Sequence, residues 1–318
     1  METVPAIDLA PLAEGPDPTT EAAVAETLAG PGGFHAIGFA GAEMLEAQLA
    51  LMTAFFALPR SARMALAQRK HVAANANIYR GYTPPPTKPH WSYNQIFDIG
   101  PEPPLPAPDL PSQPAFEEAN VWPEEAALPG WRAAMLGYAE TCRVVAQTVV
   151  AAAARALGAD ASALRPLTHG RNHTLRLLHY PEIPPDFTLL EADGSLRPTR
   201  AESQRTIARE HIDTGILSVL WQDGEGGLEM QGRDGIWRAV PPRPGALSIH
   251  CGDLLEPVLG PTLAPTRHRV IGGERARASV GFFLEPDFCT EILVPGGERK
   301  TYGRHLTDQF PARFQVPA

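Results

Sequence analysis

The chain has 318 residues, with 27 basic and 36 acidic side chains and a formal net charge of −9 at pH 7. This length allows one large domain or two small ones. The acidic balance, without clustered lysine or arginine, disfavours nucleic acid and anionic membranes as partners, because phosphate binding needs concentrated positive charge. Three scattered cysteines do not make a disulfide framework, and neither a secretory leader nor a membrane span is recognised. The sequence therefore predicts a cytoplasmic protein.

The N-terminal half has mainly helical patterning. Apolar residues recur at alternating spacings of three and four between Leu45 and Phe56, and again between Trp131 and Val149. Pro59 ends the first of these predicted helices, and Pro129 precedes the second. Both stripes are typical of core packing, and no chemistry is assigned to them.

From about residue 174 the pattern changes to short runs with β-type alternation, separated by glycine-rich and proline-rich turns. The predicted strands are 174–180, 206–213, 216–221, 228–231, 236–240, 246–250, 268–271 and 277–284. Many short strands with almost no helix between them favour an antiparallel sandwich or barrel. We expect the preceding helices to pack on one outer face of that barrel.

Three side chains in this β-rich part form a candidate metal site. His211 and Asp213 lie two residues apart on a predicted strand, so they point to the same face, and His268 opens a later strand. Two histidines and one carboxylate suit a non-haem Fe(II) centre that keeps open positions for O2 and a co-substrate. On its own, a His-x-Asp pair is more typical of a structural ion pair or hydrogen bond, because such short pairs are common.

Arg277 and Ser279 share one face of the last predicted strand, whose other face is wholly apolar. A guanidinium binds a carboxylate through two hydrogen bonds, and a neighbouring hydroxyl adds a third, so this pair suits a small dicarboxylate. The alternative is that Arg277 pairs with a protein carboxylate such as Glu285 or Asp287. The residues alone leave both interpretations open.

Taken together, these residues resemble a known family, the isopenicillin-N-synthase-like branch of the 2-oxoglutarate/Fe(II)-dependent oxygenases. The resemblance spans almost the whole chain and includes upstream segments similar to the family's opening strand, its next strand and a helix end. The motifs that carry it are Pro5-Ala6-Ile7-Asp8-Leu9, Gly33-Phe34, Phe55-Phe56-Ala57-Leu58-Pro59, Arg80-Gly81-Tyr82, His211-x-Asp213, Gly227-Leu228, Trp237 with Val240-Pro241, Gly252-Asp253, His268-Arg269-Val270, and Arg277-x-Ser279 with Phe282-Phe283 and Pro286.

The resemblance implies an α+β, mainly β, fold: a double-stranded β-helix, or jelly-roll, barrel with flanking N-terminal helices. It implies a single oxygenase domain over 1–318, with a mainly helical flank at 1–165, a jelly-roll core at 166–295 and a C-terminal tail at 296–318. It further implies His211, Asp213 and His268 as Fe(II) ligands. Arg277 and Ser279 would bind the distal carboxylate of 2-oxoglutarate, and Tyr180 would contact the co-substrate or a substrate carboxylate.

By the same resemblance, the activity is oxidation of a small organic substrate that depends on 2-oxoglutarate and O2 and proceeds through a ferryl intermediate. C–H hydroxylation is favoured over desaturation or cyclisation, and the retained Asp213 disfavours halogenation. The alternatives are an isopenicillin-N-synthase-like oxidase that works without 2-oxoglutarate, and an ethylene-forming enzyme that fragments 2-oxoglutarate. A non-enzymatic binding module is disfavoured by the intact triad.

Two aromatic residues are weak candidates for the substrate pocket. Phe283 shares the predicted face of Arg277, and Phe97 belongs to an aromatic segment that begins at Trp91. Packing in the core is the alternative for both. His250, which stands where relatives more often have Asn, is expected to be a core-facing histidine. A monomer is predicted.

Overall fold

The computed structural model describes residues 4–184, 186–191, 193–198, 206–272, 275–311 and 314. The α-helices of this part of the chain are α1 Ala10–Ala13, α2 Pro18–Ala29, α3 Leu45–Ala57, α4 Arg60–Ala65, α5 Gln113–Phe116, α6 Trp131–Ala156, α7 Arg165–Thr168, α8 Leu255–Leu259 and α9 Tyr302–Gln309. Short 3-10 helices lie at Ala42–Met44 and Ala161–Leu164. Both predicted helices are therefore present.

The strands follow the predicted ones closely in the C-terminal part of the chain. They are β1 Ala6–Asp8, β2 Gly33–Ile37, β3 Gly81–Thr83, β4 Gln95–Ile99, β5 His173–Tyr180, β6 Thr188–Leu190, β7 Leu196–Pro198, β8 Thr206–His211, β9 Leu217–Gln222, β10 Leu228–Gln231, β11 Trp237–Ala239, β12 Leu247–Cys251, β13 Arg267–Ile271, β14 Arg277–Leu284, β15 Glu291–Leu293 and β16 Arg299–Thr301. Each predicted strand from 174 to 284 corresponds to one of them.

Two sheets make up the barrel. The large sheet has the order β1-β2-β12-β9-β14-β5-β4-β3, and the small sheet has the order β11-β10-β13-β8. Neighbouring strands are antiparallel apart from β1 and β2, which are parallel. This is the predicted jelly-roll arrangement with flanking helices, and the expected fold class is confirmed.

The N-terminal part contributes strands as well as helices, since β1, β2, β3 and β4 all join the large sheet. The helical flank and the sheet are thus interleaved along the sequence. The proposed division of 1–318 into a flank, a core and a tail stays a prediction.

The helices cover one face of the large sheet. The long helix α6 packs against β9 and β14, and α3 packs against β5 and α6. Trp131 at the start of α6 is buried, and its indole N–H donates to the carbonyl oxygen of Leu51 at 2.8 Å. The opposite face of this sheet looks into the barrel, where the predicted site residues gather. No helix in the described part of the chain has the length and apolarity that a bilayer crossing demands.

Register places the site residues along strand β14. Its residues alternate between the helices and the barrel interior, because successive strand side chains point to opposite faces. Arg277 lies opposite Tyr180 on β5, and Ser279 lies between Leu178 on β5 and Gln222 on β9. The three predicted co-substrate residues, Arg277, Ser279 and Tyr180, therefore face the interior.

Candidate metal centre and co-substrate site

Three potential metal ligands converge inside the barrel. His211 ends β8 and lies directly opposite His268 on β13, with the ring centroids 4.2 Å apart. Asp213 places one carboxylate oxygen 3.7 Å from Nε2 of His211 and the other 3.5 Å from Nε2 of His268. One ligand atom from each of the three residues lies within 4.8 Å of the other two. The strand ends two residues earlier than predicted, so Asp213 reaches this position from the turn that follows β8.

Backbone contacts orient both imidazoles in the same way. Nδ1 of His211 lies 2.9 Å from the carbonyl oxygen of Arg209, and Nδ1 of His268 lies 3.2 Å from that of Thr266. A carbonyl can only accept, so each Nδ1 carries the proton and each Nε2 keeps its lone pair for the cluster. Histidines that bind metals are commonly held in this way by a hydrogen bond on the other ring nitrogen.

The third ligand is fixed by a neighbouring turn. The Ser218 hydroxyl donates to Asp213 at 2.7 Å, and the Asp253 backbone N–H donates to the Asp213 carbonyl oxygen at 3.0 Å. The Asp253 carboxylate in turn accepts from the Gly215 N–H at 2.8 Å and contacts His305 of α9, also at 2.8 Å. The Gly252-Asp253 motif therefore braces the turn that carries Asp213.

Electrostatics favour a cation here. Burial alone raises the pKa of the Asp213 carboxyl, but His268, His211 and the Ser218 hydroxyl outweigh burial and lower it, so the carboxylate is charged. Burial, followed by the electrostatic interaction with the neighbouring His268, lowers the pKa of His211 to about 4. At neutral pH His211 is uncharged, and a metal can bind it without displacing a proton.

Arg277 is buried without a matching anion. Its side chain is 4% exposed and lies 4.6 Å above the ring centroid of Tyr180. One nitrogen, Nη2, reaches Gln222 Oε1 at 3.5 Å, whereas Nε and Nη1 have no hydrogen-bond partner among the described residues. Buried donors without a partner are costly in free energy, so these two N–H groups are suited to a ligand that supplies the missing acceptors.

The protein carboxylates considered as partners for Arg277 are engaged elsewhere. Glu285 accepts from the Thr174 hydroxyl at 2.8 Å and from the Tyr302 hydroxyl at 2.6 Å. Asp287 has a buried oxygen with no partner among the described residues, so it does not satisfy Arg277 either. The interpretation of Arg277 as one half of a structural ion pair is therefore not supported, and a dicarboxylate ligand fits the unpaired donors.

The two weak substrate candidates lie on opposite faces of the large sheet. Phe283 is half-buried and faces the interior on the row of Arg277. Phe97 is fully buried, with its ring 4.4 Å from Phe55 of α3 and 5.3 Å from Trp131 of α6. The alternation along β4 turns Phe97 toward the helices, so it cannot line a cavity inside the barrel. Trp91, from the same aromatic segment, does approach the site, with its ring 5.3 Å from His211.

His250 lies beside the cluster without belonging to it. Its ring centroid is 5.6 Å from that of His268, and Nε2 contacts the Ser248 hydroxyl at 3.2 Å. Burial, followed by the electrostatic interaction with His268, lowers the pKa of His250 to about 3. The residue is buried and uncharged, but it faces the barrel interior and not the core, because its strand neighbours Ile249 and Cys251 pack in the core on the other face.

The sequence assigns no role to several polar residues of the interior, although Asp253 belongs to one of the motifs. They are polar side chains that support the triad or share its cavity: Ser218, Gln222, Asp253, His305, Asp98 and Arg176. Strand alternation was available as a signal for one of them, since Arg176 precedes Tyr180 by four residues on β5 and so shares its face. The others depend on contacts between distant segments.

A jelly-roll barrel that holds two histidines and a carboxylate together, next to a buried arginine with free donors, defines the class of non-haem Fe(II) oxygenases. Residues 172–286 match the model of the 2OG-Fe(II) oxygenase superfamily, and residues 4–125 match the N-terminal model of non-haem dioxygenases in morphine synthesis.

Curated relatives agree with this class. The 2-oxoglutarate-dependent dioxygenase htyE of Aspergillus rugulosus is 30% identical over 304 residues, which cover 83% of this chain and 82% of the relative. The dioxygenase ecdK of the same fungus is 30% identical over 224 residues, 65% of this chain and 60% of that protein. The match to a soybean homoarginine-6-hydroxylase covers 63% of this chain and 61% of the relative. The chain belongs to the 2-oxoglutarate/Fe(II)-dependent oxygenases, and the resemblance is confirmed.

Solved structures share the fold. A Neurospora crassa protein crystallised with α-ketoglutarate and thymine superposes with a TM-score of 0.76 at 22% identity, over 97% of this chain and 96% of the other. A 2OG-Fe(II) oxygenase family protein of Caulobacter crescentus gives a TM-score of 0.74 at 24% identity, over 98% and 99% of the two chains.

Proposed function

We propose that this protein uses Fe(II), 2-oxoglutarate and O2 to hydroxylate a C–H bond of a small organic substrate. The observation that carries the proposal is the pairing of the His211–Asp213–His268 cluster with a buried Arg277 whose Nε and Nη1 lack acceptors among the described residues. The first group fits a divalent metal and the second fits the distal carboxylate of a dicarboxylate.

The metal site is formed by three side chains. His211, Asp213 and His268 would hold Fe(II), with the Nε2 lone pairs kept available by the backbone carbonyls of Arg209 and Thr266. Bound Fe(II) would supply the activation of O2 that is coupled to decarboxylation of 2-oxoglutarate.

Arg277 would bind the distal carboxylate through two charge-assisted hydrogen bonds, with the Tyr180 ring supporting the guanidinium from below. Ser279, half-buried on the same row, would add its hydroxyl to that carboxylate. Ser218 keeps the Asp213 carboxylate oriented. Leu178 and Phe283 on the interior face would limit access of water to the reacting centre.

Two further properties belong to the proposal. The protein would act as a monomer, because His211, Asp213, His268 and Arg277 of a single chain are enough to form the metal and dicarboxylate sites. The net charge of −9 and the scattered cysteines support a cytoplasmic protein that binds neither nucleic acid nor a membrane.

The test is formation of succinate from 2-oxoglutarate by the purified protein, with and without Fe(II) and O2. We expect slow succinate release without added substrate, lost when either Fe(II) or O2 is withheld. O2 consumption that needs no 2-oxoglutarate would instead identify an oxidase, and ethylene in the headspace would identify fragmentation of 2-oxoglutarate. Either of these results would overturn the proposal.

A further inference from the structure

A second arginine lies in the barrel interior, partly buried and paired with an aspartate. Asp98 on β4 and Arg176 on β5 lie directly opposite each other. Nε of Arg176 donates to Oδ1 of Asp98 at 2.7 Å, and Nη2 donates to Oδ2 at 3.0 Å. Asp98 is 3% exposed and the Arg176 side chain 15% exposed. Burying two charges gives little net stability even when they pair, so the placement of this pair calls for a functional explanation.

The pair faces the same interior as the metal cluster. Arg176 lies on the row of Tyr180 and opposite Gly281 of β14. The next residue on that face of β14, Phe283, pairs with Ser218 of β9, whose hydroxyl donates to the candidate ligand Asp213. The guanidinium thus lies on the interior face that also carries Tyr180, one side chain away from the residue that orients Asp213.

One donor of Arg176 stays available. The side-on pairing with Asp98 uses Nε and Nη2, and Nη1 has no hydrogen-bond partner among the residues that the structure describes. The carboxylate of Asp98 compensates the positive charge of the guanidinium. The pair therefore presents an N–H donor of nearly zero net charge, which favours a neutral carbonyl oxygen over a carboxylate that would meet the negative charge of Asp98.

Aromatic side chains border the same space. The Arg176 guanidinium lies 5.7 Å from the ring centroid of Phe283. That ring occupies the space above Gly281, where a side-chain carbon would approach the ring to 3.0 Å. The rings of Trp91 and His211 pack edge to face, with centroids 5.3 Å apart, on the side of the barrel that the small sheet forms. Phe283 and Trp91 are both half-buried, which leaves part of each ring open to a flat apolar ligand.

We propose that the Asp98–Arg176 pair determines substrate specificity by binding a neutral carbonyl group of a planar substrate, and that Asp98 rejects substrates carrying a carboxylate at that position. This inference rests on the proposed function, because the substrate would lie next to the Fe(II) and 2-oxoglutarate of the same cavity.

The test compares three flat probes that differ in one group: para-toluamide with a neutral carbonyl, para-toluate with a carboxylate, and para-xylene with neither. Anaerobic calorimetry measures their binding to the protein loaded with Mn(II) and 2-oxoglutarate. One hydrogen bond contributes about 0.5–1.5 kcal/mol, so we expect the amide to bind roughly 3- to 10-fold more tightly than the xylene. We expect the carboxylate to bind most weakly.

Variants test whether the charges of Asp98 and Arg176, and not the shape of the pocket, determine the probe affinities. Asp98→Asn leaves Arg176 uncompensated, and we expect it to bind para-toluate at least about tenfold more tightly than the wild type does. The double variant D98L/R176M removes both charges, so no unpaired charge is buried, and the three probes should bind it with similar affinities. The matched control is E229L/R269M, which removes another directly opposed strand pair whose arginine lies over Trp237, outside the cavity. This control should keep the wild-type order of affinities.

Three results would overturn the inference: an unchanged preference in D98L/R176M, continued rejection of para-toluate by Asp98→Asn, or no binding of any probe to the wild type. Succinate formation without a probe is measured on the same samples. Its absence would count against the proposed function, whereas the probe affinities report on the Asp98–Arg176 pair, so the two failures are distinguishable.

Discussion

The two faces of the large sheet differ in how completely their side chains are satisfied. Toward the helices, β14 presents Val280, Phe282 and Leu284, all buried in the apolar core. Toward the barrel interior, the same strand presents Arg277, with two buried N–H groups that have no partner among the described residues. The first face stabilises the fold, whereas the second carries polar groups whose partners a ligand must supply. The functional groups are therefore concentrated on the face that contributes less to the stability of the fold.

The largest expected effect is at the metal cluster of the interior face. Asp213→Ala removes the ligand that contacts both His211 and His268, and it leaves the Ser218 hydroxyl without its acceptor. We expect Fe(II)-dependent succinate formation to fall by more than about 1,000-fold and metal binding to be lost. Metal content after dialysis and succinate release are the measurements. Full metal occupancy in the variant would contradict the ligand assignment.

Substitution of two phenylalanines, one on each face of the sheet, compares how much the two faces contribute to stability. Phe97→Ala leaves a cavity between β4, α3 and α6, and should lower the free energy of unfolding by about 3–5 kcal/mol. Phe283→Ala truncates a half-buried ring in the interior and should cost about 1–2 kcal/mol. Denaturant unfolding of both variants without ligands measures the difference. An equal or larger loss for Phe283→Ala would break the distinction between the two faces.

Arg277→Ala should separate co-substrate binding from metal binding. Losing two charge-assisted hydrogen bonds is worth about 2–3 kcal/mol, so the Kd for 2-oxoglutarate should rise roughly 100-fold. Because the donors are unpaired in the free protein, we expect unfolding without ligand to change little. Calorimetry with 2-oxoglutarate and with Mn(II) measures both affinities. The Kd of Arg277→Lys for 2-oxoglutarate should lie between those of the wild type and Arg277→Ala. An unchanged Kd would show that the dicarboxylate binds elsewhere.

A smaller effect is expected from a histidine at the edge of the helix-facing side. His173 stacks on Phe282 with centroids 5.3 Å apart, and burial lowers its pKa from 6.5 to about 4. Because the unfolded chain takes up this proton at a higher pH than the folded protein, stability falls as the pH drops from 6.5 toward 4. The contribution is about 3 kcal/mol. In His173→Gln the unfolding free energy should depend less on pH over this range, and an unchanged slope would refute the assignment.

Short-range patterns predicted most of the barrel. Strand alternation located β5 and β14 and placed Arg277 and Ser279 on the interior face, because period-2 patterning fixes side-chain direction once a strand is recognised. No strand is predicted around Phe97, so the sequence does not indicate which face of the sheet its side chain occupies. The Asp98–Arg176 pair joins residues 78 positions apart, and only the pairing of β4 with β5 brings them together.

The metal site shows the same contrast between residues that the sequence predicts and residues that it does not. The chain order of His211, Asp213 and His268 was enough to propose a metal site, because a two-histidine, one-carboxylate set has a preferred chemistry. The brace from Asp253 and His305 to the turn of Asp213 depends on α9 packing near that turn, which no local pattern predicts. Sequence therefore indicates the reacting groups more readily than the groups that position them.

The most direct test of the account is an anaerobic crystal structure of the wild-type protein with Mn(II) and 2-oxoglutarate. We predict the metal bound by His211, Asp213 and His268, and the distal carboxylate of 2-oxoglutarate hydrogen-bonded to Nε and Nη1 of Arg277. A metal held by other residues, or a distal carboxylate away from Arg277, would contradict it.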